Sequence, residues 1–111
     1  MAETTVVNIR RRHQENGGAA PAGVVYIGRR LTMGGWKLTR SEWANPFDVD
    51  TPTKKGDGTR EDVVALYLTW LHCERPDLLA RTGELRGAVL GCWCVPELCH
   101  GHVLAALADA G

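Results

Sequence analysis

Long apolar runs are missing from this chain of 111 residues, and none approaches the roughly 20 residues that a membrane-spanning helix needs. The N-terminus also lacks the basic segment and apolar stretch that mark a secretory signal. Excess charge of either sign is missing too, because 13 Lys and Arg balance 13 Asp and Glu. A balanced chain has no general electrostatic attraction for nucleic acids or membrane surfaces. We therefore predict a soluble, cytoplasmic protein whose cysteines are thiols or ligands rather than disulfides.

Internal repeats and low-complexity segments are absent as well, which excludes repeat architectures. The chain has the length of one ordinary domain, and its 44% hydrophobic and 23% charged residues argue against disorder. We predict that residues 1–111 form a single domain around one modest core. The sequence alone leaves the oligomeric state open.

Strand-like and helix-like segments alternate along the chain. Apolar or β-branched runs predict three strands, at Thr4–Ile9, Val24–Gly28 and Ala88–Trp93. The second strand is expected to be buried on both faces, and the third to be central. Apolar spacing and end signals predict three helices, from Thr59 to about His72, Pro76–Thr82 and His100–Ala110. This alternation predicts an α/β domain with a short, mostly parallel or mixed sheet that is packed by helices.

The segment from about residue 29 to 58 has no sustained periodicity. Connections of about thirty residues inside a compact domain are usually functional or disordered. Trp36, Trp43 and Phe47 supply apolar area that can hold this long loop against the body of the domain. Tyr67 and Trp70 lie on the apolar face of the helix that follows, so we predict them to be core residues.

A cysteine cluster follows the last predicted strand, in the stretch G-C-W-C-V-P-E-L-C-H-G-H between Gly91 and His102. Residues two apart in a strand point to the same face, so Cys92 and Cys94 face together. Cys99 and the histidine after it arrive at the start of the last helix. The cluster is therefore predicted at the carboxyl end of a strand, where open α/β sheets bind ligands. The fourth cysteine, Cys73, is predicted to be a buried apolar side chain.

Three interpretations of the cluster remain open. A zinc site would use Cys92, Cys94, Cys99 and either His100 or His102, although this spacing is not that of a standard zinc finger. A catalytic site would use Cys99 at the helix N-terminus, where the helix dipole lowers a thiol pKa, with His100 as proton carrier. In the third interpretation the cysteines are small apolar residues of a core strand.

Polar and aromatic residues elsewhere are predicted to face the same cleft. Arg29 follows the second strand and is suited to grip a carboxylate or phosphate, with Asn45 as donor and acceptor. Trp36 and Trp43 would then wall the pocket. Gly101 in the first turn of the last helix indicates close approach of a backbone or a ligand, and such a helix N-terminus suits an anion.

Four motifs, which cover nearly the whole chain in order, resemble a family known as domain of unknown function 4326. They are V-Y-I-G-R (Val25–Arg29), W-A-N-P-F (Trp43–Phe47), T-R-E-D-V-V-A-L-Y (Thr59–Tyr67) and E-L-R-G-A-V-L-G-C-W-C-x4-C-H-G (Glu84–Gly101). The family consists of short proteins from bacteria, bacteriophages and some fungi, and it implies no particular activity. The resemblance implies a shared motif set, namely Arg29, Asn45, Cys92, Cys94, Cys99 and His100. His102 stands where this family more often has an acidic residue, which argues against a ligand role.

Two functional hypotheses follow from the sequence. The first is binding, with or without turnover, of a small anionic or nucleotide-like ligand. Cys99 would be nucleophile or ligand contact, His100 the proton carrier and Arg29 the anion clamp, while Asn45 orients the ligand. The second is a zinc-stabilised interaction module, such as a phage protein that binds a host protein through the exposed side chains of Trp36 and Trp43. A viral protein of this kind would act in the host cytoplasm.

Overall fold

A computed structural model of the chain describes residues 3–9, 23–32, 34–93 and 97–110. The described part contains three strands, β1 (Thr5–Asn8), β2 (Val24–Tyr26) and β3 (Val89–Cys92). It also contains three α-helices, α1 (Arg60–Cys73), α2 (Pro76–Ala80) and α3 (His100–Ala110). A 3-10 turn at Thr82–Leu85 joins α2 to β3. The predicted α/β fold is confirmed, and no helix in these ranges is long and apolar enough to cross a membrane.

The three strands form one parallel sheet in the order β1-β3-β2. The central position predicted for β3 is confirmed, and its Leu90 is fully buried. The prediction that the second strand is buried on both faces is wrong, because β2 lies at an edge of this sheet and its Val25 is 38% exposed. The carboxyl ends of all three strands lie at one edge of the sheet, since parallel strands run in the same direction.

Helix α1 begins with a reciprocal cap. The hydroxyl of Thr59 accepts a hydrogen bond from the backbone N–H of Asp62, whose carboxylate accepts the backbone N–H of Thr59 in return. The inward face of the helix consists of Val63, Tyr67 and Leu71, which recur every four residues. Cys73 is exposed, so the prediction that it is buried is wrong. It follows Leu71 by two residues, which places it about 200° around the helix axis from the buried face.

Helix α3 packs closely on the sheet at its first turn. A Cβ atom on Gly101 would lie 2.8 Å from Cδ1 of Ile27 and 2.9 Å from Cγ1 of Val6. The close approach that the sequence indicates at this glycine is therefore an approach to side chains of the sheet. Further along the helix, Leu104 and Ala108 are fully buried.

The segment from residue 29 to 58 holds two isolated bridges, Leu31 with Leu38 and Thr51 with Lys54, and otherwise consists of turns and irregular backbone in its described part. Trp43 fixes this segment to the core, with only 5% of its surface exposed. The hydroxyl of the buried Tyr67 donates to its carbonyl oxygen at 2.7 Å. The predicted exposure of Trp43 is wrong because its indole supplies apolar area to the core.

We expect Gly91→Ala to destabilise the domain by about 1–3 kcal/mol, as overpacking of a core does. The new methyl group would lie 2.5 Å from Cγ2 of Ile9 and 2.7 Å from Cγ1 of Val24, and both of those side chains are β-branched. Urea unfolding followed by circular dichroism measures the change. Gly83→Ala is the matched control, since nothing lies within 4 Å of the position that its new Cβ would take. An equal loss in the two variants would contradict the packing argument.

Candidate functional site

A cleft of about 620 Å³ opens where β2 and β3 end and α3 begins. Its floor includes Cys92 and His100. One wall is formed by residues that follow β2 and β3, and the other by the loop around Phe47. The cleft therefore lies at the carboxyl edge of the sheet, the place that the sequence predicts for a ligand site.

Two cysteines and a histidine meet at and just behind the floor. The Sγ atoms of Cys92 and Cys99 lie 3.1 Å apart, and Nδ1 of His100 lies 3.6 Å from the sulfur of Cys99. Nε2 of His100 is 2.8 Å from the carbonyl oxygen of Ile27. Because a carbonyl only accepts, Nε2 carries the proton, and Nδ1 of the neutral ring is an acceptor that faces the sulfur. All three side chains are buried, with Cys92 and Cys99 each 2% exposed.

Cys99 caps the N-terminus of α3. Its sulfur accepts the backbone N–H of Gly101 at 3.4 Å, and its own backbone N–H donates to Nδ1 of His102 at 2.9 Å. The sulfur thus takes the place of the oxygen in an N-cap side chain, which accepts a backbone N–H of the first turn. His102 therefore orients the chain that enters the helix.

Aromatic side chains make the wall that continues β2 and β3. Trp93 meets Trp36 edge to face with ring centroids 5.3 Å apart, and meets Tyr26 in the same manner at 6.3 Å. The indole N–H of Trp93 donates to the hydroxyl of Tyr26 at 2.9 Å, and that hydroxyl donates in turn to the carbonyl of Arg29. Edge-to-face contacts and satisfied polar groups hold these rings in fixed orientations.

Arg29 and Asn45 hold the opposite wall. Arg29 donates from Nε to the carbonyl of Asn45 at 3.0 Å and from Nη2 to that of Phe47 at 2.8 Å, and its Nη1 pairs with Asp48 at 2.6 Å. The side chain of Asn45 accepts the backbone N–H of Phe47 and donates to the carbonyl of Val63 on α1. Both side chains border the cleft, and these bonds fix the loop that forms its wall.

The cleft residues that sequence reasoning missed include Tyr26, Arg30, Asp48 and Trp93. One signal was available for two of them. Tyr26 pairs in register with Gly91, so Trp93 two residues later falls on the same face of the sheet as Tyr26. Asp48 and Arg30 carry no such signal, because the long loop has no period from which a facing direction can be read.

Trp43 does not border the cleft, contrary to the pocket wall that the sequence predicts for it. Its ring lies in the core, where the guanidinium carbon of Arg81 sits 5.8 Å from the ring centroid. Trp36 and Phe47, the other two aromatics of the long loop, are half-buried and do line the cleft.

The predicted zinc ligands are brought together only in part. Cys92, Cys99 and His100 lie together at and just behind the floor, while Cys94 lies outside the described residues. Within residues 3–9, 23–32, 34–93 and 97–110, no group of three or more His, Cys, Asp or Glu side chains is arranged to hold a metal ion. Zinc binding thus gains no support from this part of the chain.

Tyr67 supports the floor from α1, with its ring edge to face with His100 at 4.9 Å. Burial, and after it the negative charge of a nearby Cys99 thiolate, raise the pKa of Tyr67 above its ordinary value of about 10. The folded protein therefore keeps the Tyr67 proton at a pH where the unfolded chain loses it. This contribution to stability is complete below about pH 10 and is lost as the pH rises further.

We expect Tyr67→Phe to remove this alkaline loss and to destabilise the protein at neutral pH by about 1–3 kcal/mol, because the carbonyl of Trp43 loses its donor. Urea unfolding of both proteins between about pH 8 and pH 11 measures the two effects. The same slope of unfolding free energy against pH in both proteins would contradict the assignment to Tyr67.

Comparison with known proteins places this architecture in a family. The chain matches the family described as Domain of unknown function (DUF4326) over residues 7–110. It is also similar to Uncharacterized protein R718 of Acanthamoeba polyphaga mimivirus, with 38% identity over 91 residues. That match covers 75% of this chain and 65% of the viral protein, so the chain spans somewhat less than two thirds of that relative. No solved structure gives a significant match. The family match confirms the resemblance drawn from the sequence, and the chain belongs to the DUF4326 family.

Proposed function

We propose that the cleft binds a small anionic ligand that carries a planar ring, as nucleotides do. The observation that carries this proposal is the presence of aromatic rings and two arginines around one cleft of about 620 Å³. Sites for small molecules typically have volumes of about 300–1,000 Å³ and apolar linings with a few polar groups. The position at the carboxyl edge of a parallel sheet supports the same proposal.

The ring of the ligand would contact Trp36 and Trp93 on one wall and Phe47 on the other. The two indole rings pack edge to face in the structure, so ligand binding requires little change in their orientation. Stacking of a base on an aromatic side chain contributes about 1–3 kcal/mol. Such stacking tolerates any base, so this part of the cleft supports a class of ligand rather than one member of it.

The anionic group of the ligand would contact Arg30. The charge of Arg29 is compensated by Asp48 at 2.6 Å, and its N–H groups hold the loop. Arg30 borders the same cleft, is exposed, and takes part in none of the ion pairs seen in the described ranges. We therefore assign the anion contact to Arg30 and a positioning role to Arg29 and Asn45, which modifies the roles predicted from the sequence.

The alternative, a zinc-stabilised module that binds a host protein, has less support. The viral relative agrees with a viral role, but its name states no partner. Trp43, one of the two side chains that would touch the partner, is buried. A zinc content of about one per chain in the purified protein, with unfolding on chelation, would favour this alternative over the ligand site.

We expect nucleoside monophosphates to quench the tryptophan emission of the native protein, because Trp36 and Trp93 border the cleft. Free nucleosides probe the contact with the ring alone, and inorganic phosphate probes the contact with the anion alone. Each should bind at least about tenfold more weakly than the nucleoside monophosphate. Trp36→Phe should reduce the quenching. Trp70→Phe is its control, since Trp70 lies on α1 away from the cleft. The proposal would be contradicted if both variants lost the same amount of quenching. It would also be contradicted if no nucleotide quenched the emission of the native protein.

We expect Arg30→Ala to weaken nucleoside monophosphate binding by about tenfold to a hundredfold, the range for a lost hydrogen bond to a charged group. Arg40→Ala changes the net charge equally, and its exposed side chain does not border the cleft. Isothermal titration calorimetry of the two variants separates a specific contact from a general charge effect. If Arg30→Ala and Arg40→Ala weaken binding equally, Arg30 is not the anion contact.

A further inference from the structure

The buried sulfur of Cys92 at the cleft floor and that of Cys99 just behind it form a pair that ligand binding does not require. The Sγ atoms of Cys92 and Cys99 are 3.1 Å apart, whereas a disulfide bond is about 2.05 Å long. A displacement of about 1 Å would therefore bring the sulfurs to bonding distance. They come from different elements, since Cys92 ends β3 and Cys99 caps α3.

We propose that Cys92 and Cys99 are a redox-active dithiol, which small hydroperoxides oxidise to a disulfide at the floor of the cleft. This inference does not depend on the proposed function, because it needs only the two sulfurs, the neighbouring histidine and access from the cleft.

Access decides which sulfur meets the oxidant. Cys92 borders the cleft, whereas Cys99 lies behind it and does not. Cys92 is only 2% exposed, so the oxidant must be a small molecule. Hydrogen peroxide meets that condition, and a bulky disulfide such as glutathione disulfide does not. Cys92 is therefore the sulfur that reacts first, and Cys99 is the one that resolves the product.

The first step oxidises Cys92. Its sulfur attacks one oxygen of the hydroperoxide, the O–O bond breaks, and the thiol proton passes to the departing alkoxide or hydroxide. The products are a sulfenic acid on Cys92 and one molecule of alcohol or water. The sulfur has lost two electrons, and the peroxide has gained them.

The second step closes the disulfide. Nδ1 of His100 lies 3.6 Å from the sulfur of Cys99 and accepts its proton. The resulting thiolate is stabilised by the N–H of Gly101 at the start of α3 and attacks the sulfur of Cys92. The S–O bond of the sulfenic acid breaks, and hydroxide leaves with the proton that His100 had taken. Two thiols and one hydroperoxide thus yield one disulfide, one alcohol or water, and one further water.

The test treats native protein with a stoichiometric amount of hydrogen peroxide, blocks the remaining thiols by alkylation, and maps the linkage by mass spectrometry. Cleavage after Glu97 separates Cys99 from Cys92 and Cys94, so a disulfide to Cys99 joins two fragments. The Cys94→Ser variant removes the alternative partner and should form the same link. Cys73→Ser removes an exposed thiol on α1 and should leave the reaction unchanged. A thiol reductant should restore two alkylatable cysteines.

Trapping of the intermediate assigns the order of the two thiols. In Cys99→Ala the sulfenic acid on Cys92 has no resolving partner, and its adduct with dimedone should increase at least about tenfold over that of the native protein. Glutathione disulfide should oxidise the native pair at no more than about a tenth of the rate of hydrogen peroxide at equal concentration. Circular dichroism checks that the variant is folded, and the linkage map of the native protein does not depend on that variant.

The proposal is overturned if no link between Cys92 and Cys99 forms, and three further results would also overturn it. One is a link between Cys99 and Cys94 in native protein that Cys94→Ser abolishes. Another is oxidation of Cys73 at the same rate as the buried pair. The last is a bound metal in the purified protein that must be removed before the thiols react.

Discussion

The hydrogen bond from Nε2 of His100 to the carbonyl of Ile27 fixes the geometry on which the rest of the site depends. It joins the first residue of α3 to the residue that follows β2, across a separation of 73 positions in the chain. The same bond sets the tautomer of the imidazole and so turns Nδ1 toward Cys99. Gly101 allows this attachment, because a larger residue would meet the side chains of Ile27 and Val6. The floor of the cleft thus results from how closely one helix end rests on the sheet.

The regular elements could be predicted from the sequence because they follow local rules. The sequence predicts the limits of α3 to the residue, and the cap of α1 from Thr59 and Asp62. Errors arose where a residue type was interpreted without its angular position. The side chain of Cys73 is apolar, yet it lies on the side of α1 opposite to the buried face and is exposed. The prediction for Trp43 failed for a related reason, since an irregular segment gives no pattern to show which of its aromatics enters the core.

The position of the candidate site in the fold could be predicted from the sequence, whereas only some of the residues that line it could. The strand and helix periods that flank the cysteine cluster are enough to set it at the carboxyl edge of the sheet. The opposing wall comes from the long loop, whose distances to that edge depend on tertiary contacts such as those that Arg29 makes with the backbone of residues 45 and 47. That dependence explains why the bonds of Arg29 and Asn45 to the loop and to α1 were not foreseen.

The order of the strands in the sheet affects when the chain can fold. Both β1 and β2 pair only with β3 among the described strands, and Thr5 pairs with Val89, 84 positions later. The first two strands therefore have no sheet partner until Val89–Cys92 have been synthesised, about four fifths of the way along the chain. Long-range parallel pairing of this kind is slow, because loop closure precedes any gain from contact. The cleft, whose floor comes later still in the chain, is among the last features to form, and a ligand that occupies it would stabilise the whole fold rather than one part of it.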